Sequence, residues 1–251
     1  MKSNTSRKRF SLIELIILII IIIILFALLI PMVFKSRAVA KTVSCSGNLK
    51  QCVNAMQVYA ANNDNTLCTY GNKYAGWFAQ DGIPATLGFK IAKAGRAPIT
   101  ERPVTLCPDI WINSPNRNAA QGYGAAWFIP RADYAETGCE EVVNFPTNPG
   151  QMVFLSKVPK LADYVLLADS AYTNSEGADI VPGVQCILFA RQRLGGTSHF
   201  PRAISLRHNG EANVGYADGH LGTTADRVGM LMKSKIGAYV DATGSNKIST
   251  Q

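Results

Sequence analysis

The pattern of hydrophobic and polar positions begins with a long apolar run near the N-terminus. Residues 15–34 carry no charged side chain. As a helix they would span about 30 Å, which matches the hydrocarbon core of a bilayer. Pro31 lies inside the run and is expected to bend the helix, because proline removes one backbone donor. We therefore predict a transmembrane helix over residues 10–34, preceded by a basic leader at residues 1–9.

The helix is predicted to continue beyond the membrane, because no glycine occurs before Gly47 and no further proline before Pro84. Apolar side chains recur there at helical spacing and so lie on one face: Cys45, Leu49, Cys52, Met56 and Tyr59. Polar side chains occupy the other positions: Lys50, Gln51, Asn54 and Gln57. The turn-prone segment 62–65 should end the helix. Residues 35–64 are thus an amphipathic continuation whose apolar stripe needs a partner.

Residues 65–251 change in character and are predicted to form one head domain on the extracytoplasmic side. Short apolar stretches predict strands at 153–155, 164–168 and 186–190. Residues 212–221 predict a hairpin that turns at Asp218-Gly219. Residues 224–236 could form a short helix capped by Thr224. The predicted class is α+β, with a long N-terminal transmembrane and amphipathic helix packed on an antiparallel sheet.

The positive charge is concentrated beside the apolar run rather than in the head. The chain has 25 Lys and Arg against 17 Asp and Glu, a net charge of +8. Eight of those basic residues lie at or before Lys50, where Glu14 is the only acid. From residue 65 onward, 17 basic residues face 15 acidic ones. A nucleic-acid partner is therefore not predicted, since such proteins cluster Lys and Arg in the folded part.

Glu14 is the candidate residue with the clearest functional implication. It is the only acid before Asp64, and it stands at the entrance of the apolar run. A carboxylate inside a membrane is costly, about 2–3 kcal/mol at the bilayer centre by insertion scales, and usually has a partner. The alternative is a Glu14 that lies at headgroup level and is simply solvated.

The segment Phe10-Ser11-Leu12-Ile13-Glu14-Leu15 resembles the start of type IV pilins and type II secretion pseudopilins, and Pro31 is typical of many pilins. Residues 45–51 and 59–64 resemble a bacterial prepilin-like group that carries a C-terminal His-x9-Asp-Gly signature. That signature is present as His208 and Asp218-Gly219, followed by His220. The resemblance covers the first 64 residues well and residues 163–222 moderately.

The resemblance implies a structural subunit rather than an enzyme. In this family a prepilin peptidase cuts before the Phe and methylates the new amine, here between Arg9 and Phe10. Glu14 would then meet the Phe10 amine of a neighbouring subunit. Implied partners are other pilin-like subunits, the peptidase, the inner-membrane assembly machinery and lipid. The implied location is the bacterial inner membrane, single-pass, with a cytoplasmic N-terminus and a periplasmic head, in a secretion pseudopilus or pilus-like filament.

The chain departs from the family at the residue before the cleavage site. The family usually has Gly before the scissile bond, whereas this chain has Arg9. If Arg9 blocks cleavage, Glu14 lacks its partner and the chain stays a tethered monomer. The alternative function is a membrane-anchored binding module that recognises glycans or secreted proteins, suggested by the large irregular middle of the chain, which assembly does not require. Its candidate contacts are the three tryptophans of the loop-rich middle: Trp77, Trp111 and Trp127.

The six cysteines form no C-x-x-C pair, so their spacing predicts no zinc ribbon. Cys45 and Cys52 are about 10 Å apart along one helix, too far to bridge. An exported head permits disulfides, and Cys68 with Cys107 is the preferred pair because both flank loop-rich sequence. Free buried thiols are the open alternative. The remaining two of the six cysteines are Cys139 and Cys186.

His208, Asp218, Gly219 and His220 are the best candidates for chemistry in the head. His and Asp are metal ligands when they converge. The simpler reading is that Asp218 stabilises the turn and His208 hydrogen-bonds to Asp218. No cofactor is predicted, although a structural calcium or other divalent ion stays open, with Asp169 and Asp226 as further acids. A triad drawn from Ser170 or Ser198 with His199, His208 and Asp169 lacks any nucleophile motif, so no enzyme is predicted.

Overall fold

The structure is a computed structural model, and it describes residues 11–70, 77, 83–88, 103–109, 122–127, 140–144, 149–172, 188–190, 202–225, 238–240 and 246–248. The chain divides into two compact units, Met1–Lys41 and Thr42–Gln251. Among the described residues the class is α+β, with one long helix followed by short strands. The predicted α+β layout is confirmed at this level.

Helix α1 spans Leu12–Ala61, which confirms the continuous helix predicted from the sequence. It passes through Pro31 without ending. In the first unit its large apolar side chains are exposed, and an 18-residue window reaches a mean hydropathy of 3.6. By length and composition this helix can cross a membrane.

A capping box starts α1. The Ser11 amide donates to Glu14 Oε2 at 2.9 Å, and the Ile13 amide approaches Ser11 Oγ at 3.4 Å. Such reciprocal bonds satisfy amides that have no partner within a helix's first turn. Glu14 therefore has a local role that its isolation in the apolar run did not predict.

Asparagines end α1, as predicted. The side-chain amides of Asn62 and Asn63 donate to carbonyls of the last turn, and the Asn65 amide donates to Ala60 O at 2.9 Å. Asp64 and Asn65 have φ values of 51° and 55°, in the left-handed region that Asn and Asp tolerate best among non-glycine residues. The chain thereby turns directly into the first strand.

In the part of the chain that the structure describes, three sheets follow the helix, where the sequence predicted one. The first has strand order β1-β4-β3, the second β10-β9-β5-β2-β7 and the third β12-β11-β8-β6. Most pairings are antiparallel, but β2 with β7 and β8 with β11 are parallel. The strands are β1 (Thr66–Tyr70), β2 (Gly124–Trp127), β3 (Glu140–Asn144), β4 (Pro149–Phe154), β5 (Val165–Ala168), β6 (Ser170–Tyr172), β7 (Leu188–Ala190), β8 (Arg202–Ser205), β9 (Glu211–Tyr216), β10 (Leu221–Ala225), β11 (Ala238–Val240) and β12 (Asn246–Ile248).

Short helical segments complete the described residues. Helix α2 is Ile83–Thr86, and single 3₁₀ turns lie at Pro103–Thr105, Leu155–Lys157 and Leu161–Asp163. The strand predicted at 153–155 therefore ends one residue early, because Leu155 begins a turn. Residues 186–187 of another predicted strand lie outside the described residues.

The hairpin predicted at 212–221 is confirmed as β9 and β10, with Gly219 at φ 94° in the turn. The helix predicted from Thr224 is wrong at its start, because Thr224 is buried in β10 and pairs with Ala212. The pairing of β10 with β9 continues to Ala225, so residues 224 and 225 belong to a strand. Residues 226–236 lie outside the described residues.

The apolar stripe of α1 supplies much of the head's core. Cys45, Leu49, Cys52 and Met56 are fully buried, as predicted, and Tyr59 packs at the edge. The rest of this core comes from the head: it includes Leu67, Trp77, Tyr123, Val153, Leu166 and Leu167. Polar Gln57, predicted to face solvent, is half-buried because its amide donates to Ala217 O.

Strand β9 lies against α1 at a glycine. A Cβ built on Gly215 would fall 2.3 Å from Val53 Cγ2. This distance is well inside van der Waals contact, so only glycine allows the strand to approach the helix this closely. The helix segment after Thr42 and the second sheet are therefore parts of one packed unit.

Candidate metal centre

Four side chains from distant parts of the sequence converge in the second unit. Cys45 lies on α1, Cys107 follows the 3₁₀ turn Pro103–Thr105, Asp169 joins β5 to β6, and His208 follows β8. One ligand atom from each lies within 4.8 Å of the other three. Their relative exposures are 0, 1, 0 and 7 %, so the cluster is closed to solvent.

The distances within this cluster are short. Cys45 Sγ lies 3.2 Å from Asp169 Oδ1, and Cys107 Sγ lies 3.3 Å from His208 Nε2. His208 Nε2 also lies 3.3 Å from Asp169 Oδ2. Two sulfurs, one imidazole nitrogen and the Asp169 carboxylate, whose two oxygens contact different partners, therefore lie around a common centre.

Asp169 is positioned by being the single residue between two strands of different sheets. Its amide donates to Asn213 O at 3.0 Å, and its carbonyl accepts from the Ser205 amide at 2.9 Å. These bonds tie the backbone of residue 169 to β9 and β8. The side chain contacts Cys45 on α1 and Asn213 on β9.

His208 is positioned by a tight turn. The amides and carbonyls of His208 and Glu211 bond reciprocally at 2.9 and 3.1 Å. Asn209 and Gly210 between them have φ values of 55° and 84°, as the type I′ hairpin turn requires. The Asn-Gly dipeptide is the sequence signal for this turn, and it is the feature from which the position of His208 could have been predicted.

Outer hydrogen bonds orient the ligands. Thr42 Oγ1 lies 3.3 Å from His208 Nδ1, the ring nitrogen that points away from the cluster. Asp169 Oδ2 accepts from the Asn213 amide at 2.9 Å and from Asn213 Nδ2 at 3.2 Å. The Tyr123 hydroxyl donates to Cys45 O at 2.9 Å and contacts Cys45 Sγ. Each contact restricts the rotation of a ligand side chain or of its backbone.

The electrostatics of the cluster favour charged Asp169 and His208. Burial raises the pKa of Asp169, but hydrogen bonding to His208 and the Arg207 charge outweigh burial and lower the pKa. Burial lowers the pKa of His208, but bonding to Asp169 and Cys107 raises it to about 9. The Arg207 guanidinium is held nearby by its hydrogen bond to Ser170 O.

The two thiols differ strongly. Hydrogen bonding from Cys45, aided by His208, lowers the pKa of Cys107 to about 6 against the opposing effect of burial. Burial raises the pKa of Cys45, and the neighbouring Cys107 and Asp169 charges raise it further. The cluster therefore holds one thiolate and one thiol at neutral pH when no cation is bound.

Of the predicted signature residues, only His208 reaches this cluster. Asp218, Gly219 and His220 lie at the opposite end of β9. Asp218 Oδ1 accepts the His220 amide at 3.0 Å and contacts His220 Nδ1, so Asp218 stabilises the turn. The expected bond between His208 and Asp218 is wrong, because Asp169 is the carboxylate beside His208. Asp218 instead borders a surface cleft of about 460 Å³.

The predicted disulfide between Cys68 and Cys107 is also wrong. Cys45, Cys52, Cys68 and Cys107 are all buried, and no disulfide joins any two of these four. Cys68 lies in β1, whereas Cys107 is in contact with His208. Cys139 and Cys186 lie outside the described residues.

The remaining predicted positions are partly described. Trp77 is fully buried, and its Nε1 donates to Tyr123 O at 2.8 Å, so Trp77 is a core residue rather than an exposed contact. Ser170 Oγ donates to Gly122 O, and Ser170 is buried. Several other candidates lie outside the described residues or have side chains that do: Arg9, Phe10, Trp111, Trp127, Ser198, His199 and Asp226.

Comparison with protein-family models, with curated proteins and with solved structures found no match for this chain.

Proposed function

We propose that this chain is a membrane-anchored structural subunit that assembles with pilin-like subunits through its N-terminal helix. The proposed assembly is a type II secretion-type pseudopilus or a type IV pilus-like filament. The observation that carries the proposal is Glu14 at the start of an exposed apolar helix. The resemblance of residues 10–15 to the pilin start gives that carboxylate a partner.

The exposed first unit supports an anchored, assembling protein. From Leu12 to Phe34 the large apolar side chains are 41–77 % exposed. A continuous apolar surface of this size needs a lipid or protein environment. Lipid solvates the apolar side chains, but it offers no partner for the charge of a carboxylate. A neighbouring amine would do so, because an unpaired charge among packed apolar helices is costly.

The capping box offers a competing reason for Glu14, and the test must separate the two. Glu14→Gln keeps an oxygen that can accept the Ser11 amide but removes the charge. Glu14→Ala removes both. Ser11→Ala is the matched control, because it removes the capping hydroxyl and leaves the charge.

The experiment places a photo-reactive amino acid at Ile23, which is 60 % exposed, in the full chain in its native bacterial membrane. We expect cross-links between adjacent helices in the parent chain and in Ser11→Ala, and their loss in Glu14→Gln and Glu14→Ala. If Glu14→Gln cross-links as the parent does, the carboxylate serves only the helix cap and the proposed assembly contact is wrong.

Processing is tested separately by intact-mass measurement of the membrane-extracted chain. Loss of residues 1–9 and addition of a methyl group at Phe10 are expected. Arg9→Gly restores the residue usual in the family and serves as the positive control. If Arg9→Gly is cut and the native chain is not, the protein is a tethered ectodomain rather than a filament subunit.

A further inference from the structure

We propose that Cys45, Cys107, Asp169 and His208 bind one zinc ion in a closed, four-coordinate structural site. This site is independent of the proposed assembly, because all four ligands belong to the second unit. From the sequence no cofactor was predicted, and a divalent ion stayed open around His208 and Asp218, with Asp169 and Asp226 as further acids.

The donor set fits zinc by chemistry and by size. Zinc binds Cys sulfur at about 2.3 Å, His nitrogen at about 2.0–2.1 Å and Asp oxygen at about 2.0–2.2 Å, in tetrahedral geometry. Tetrahedral ligands at such bond lengths lie roughly 3.3–3.8 Å from one another. All four ligand atoms lie within 4.8 Å of one another, and the contacts among the four residues include distances of 3.2–3.3 Å. Shifts of about 1 Å or less therefore bring them to tetrahedral spacing around an ion.

The two sulfur ligands favour zinc over harder cations such as calcium and magnesium. Calcium and magnesium take oxygen ligands in larger numbers, whereas this cluster supplies a single carboxylate and two sulfurs. Binding replaces the Cys45 thiol proton and the His208 imidazolium proton with the metal, because the ligands must be a thiolate and a neutral imidazole and Cys107 is already a thiolate. The fixed negative charge of Asp169 and the two sulfurs compensates the charge of the ion.

The surroundings match those of a structural rather than a catalytic site. The contact of Thr42 with His208 Nδ1 leaves Nε2 directed at the centre, and Asn213 holds the Asp169 carboxylate. Such outer contacts orient the first ligands of a metal. Four protein ligands and full burial leave no open coordination position for water or substrate.

The site would fasten α1 to the head. Cys45 is on the helix, and the other ligands come from three separate head segments, so one ion joins four parts of the chain. A metal that binds only the folded arrangement adds its binding free energy to folding. Zinc removal is therefore expected to lower the melting temperature of the second unit.

The test uses the full chain purified in detergent under reducing conditions, with zinc measured by elemental analysis. We expect stoichiometric zinc in the native chain and its loss in Cys45→Ser and Cys107→Ser. Cys52→Ser is the matched control, because Cys52 is equally buried on the same helix and contacts Val104 O instead. It should retain zinc.

Two measurements apply even if the ligand variants fail to fold. Cobalt(II) added to the zinc-free native chain should give the visible bands of a tetrahedral site and thiolate-to-cobalt charge-transfer absorption. Thr42→Val, which removes only the hydroxyl beside His208, should weaken zinc binding by about 10–100-fold. The proposal is overturned if the folded native chain takes up neither metal, or if peptide mapping finds Cys45 and Cys107 joined as a disulfide.

Discussion

His208 Nε2 lies 3.3 Å from Asp169 Oδ2, with the two side chains 3 % and 0 % exposed. The pair joins the β8–β9 loop to the junction of β5 and β6. Cys107 also contacts His208 Nε2, so the same ring nitrogen faces a carboxylate and a sulfur. This shared contact determines how the metal-free head responds to pH.

The first prediction concerns the pH dependence of unfolding when metal is removed by a chelator. His208 has a folded pKa of about 9 against 6.5 unfolded, so its stabilising contribution is complete below pH 6.5 and disappears as the pH rises to 9. Cys107 has a folded pKa of about 6 against 9.0, so its contribution grows over nearly the same range. The two contributions change with pH in opposite directions. The free energy of unfolding of the native chain should therefore change little between pH 6.5 and 9.

Cys107→Ser removes the contribution of the Cys107 thiol, which grows with pH, and leaves that of His208. The free energy of unfolding of this variant should fall between pH 6.5 and 9, measured by denaturant titration with chelator. Cys52→Ser should keep the flat profile of the native chain. A flat profile for Cys107→Ser would contradict the raised pKa of His208.

The second prediction concerns the boundary of the folding unit. A chain that starts at Thr42 keeps the buried stripe of Cys45, Leu49, Cys52 and Met56 and should fold. A chain that starts at residue 65 lacks these side chains and should not. Burying one such side chain contributes about 1.5–3 kcal/mol, so the loss of the whole stripe is comparable with the usual net stability of about 5–15 kcal/mol. Cooperative thermal unfolding of both chains is the measurement, and cooperative unfolding of the shorter chain would contradict this core.

The third prediction concerns the approach of β9 to α1. Gly215→Ala places a methyl group against Val53 and should lower the free energy of unfolding by about 1–3 kcal/mol. Gly47→Ala is the matched control: Gly47 is exposed on α1 with open space around it, and the change should stabilise by about 0.5–1 kcal/mol.

Val53→Ala in the Gly215→Ala background removes the methyl groups that cause the overlap. The double variant should therefore be more stable than the sum of the two single effects, as a double-mutant cycle measures. Simple additivity would show that the strand and helix do not meet at this point.

The fourth prediction concerns the Asp218-Gly219 turn. Gly219→Ala forces an L side chain to φ 94°, at a cost of roughly 1–2 kcal/mol. It also brings Cβ within 2.6 Å of the Gln57 amide, whose bond to Ala217 O must then rearrange. Gly210→Ala has a similar φ of 84° and open space, so Gly210→Ala isolates the backbone effect.

Urea titration of the two variants should find Gly219→Ala the less stable. Adding Gln57→Ala should bring it close to Gly210→Ala. If Gly219→Ala and Gly210→Ala lowered the free energy of unfolding equally while Gln57 was present, the Gln57 side chain would move aside at no cost.

Local chemistry determined the elements that the sequence predicted well. The length of α1 follows from its uninterrupted apolar run and helical spacing, and its end follows from asparagines that bond to the preceding carbonyls. The hairpin turn follows from Asp218-Gly219, since glycine accepts a positive φ. Each of these depends on interactions between residues a few positions apart.

The sequence by itself thus determined a long apolar helix with an amphipathic continuation, an α+β class and the turn at Gly219. Only the tertiary structure decided that His208 meets Asp169 rather than Asp218, that Cys107 meets Cys45 rather than Cys68, and that Trp77 is core. The physical reason is that a buried polar or thiol side chain takes its partner from whatever the packed sheets and helix bring within about 3 Å. The spacing of residues along the chain does not determine which side chains come that close in the folded protein.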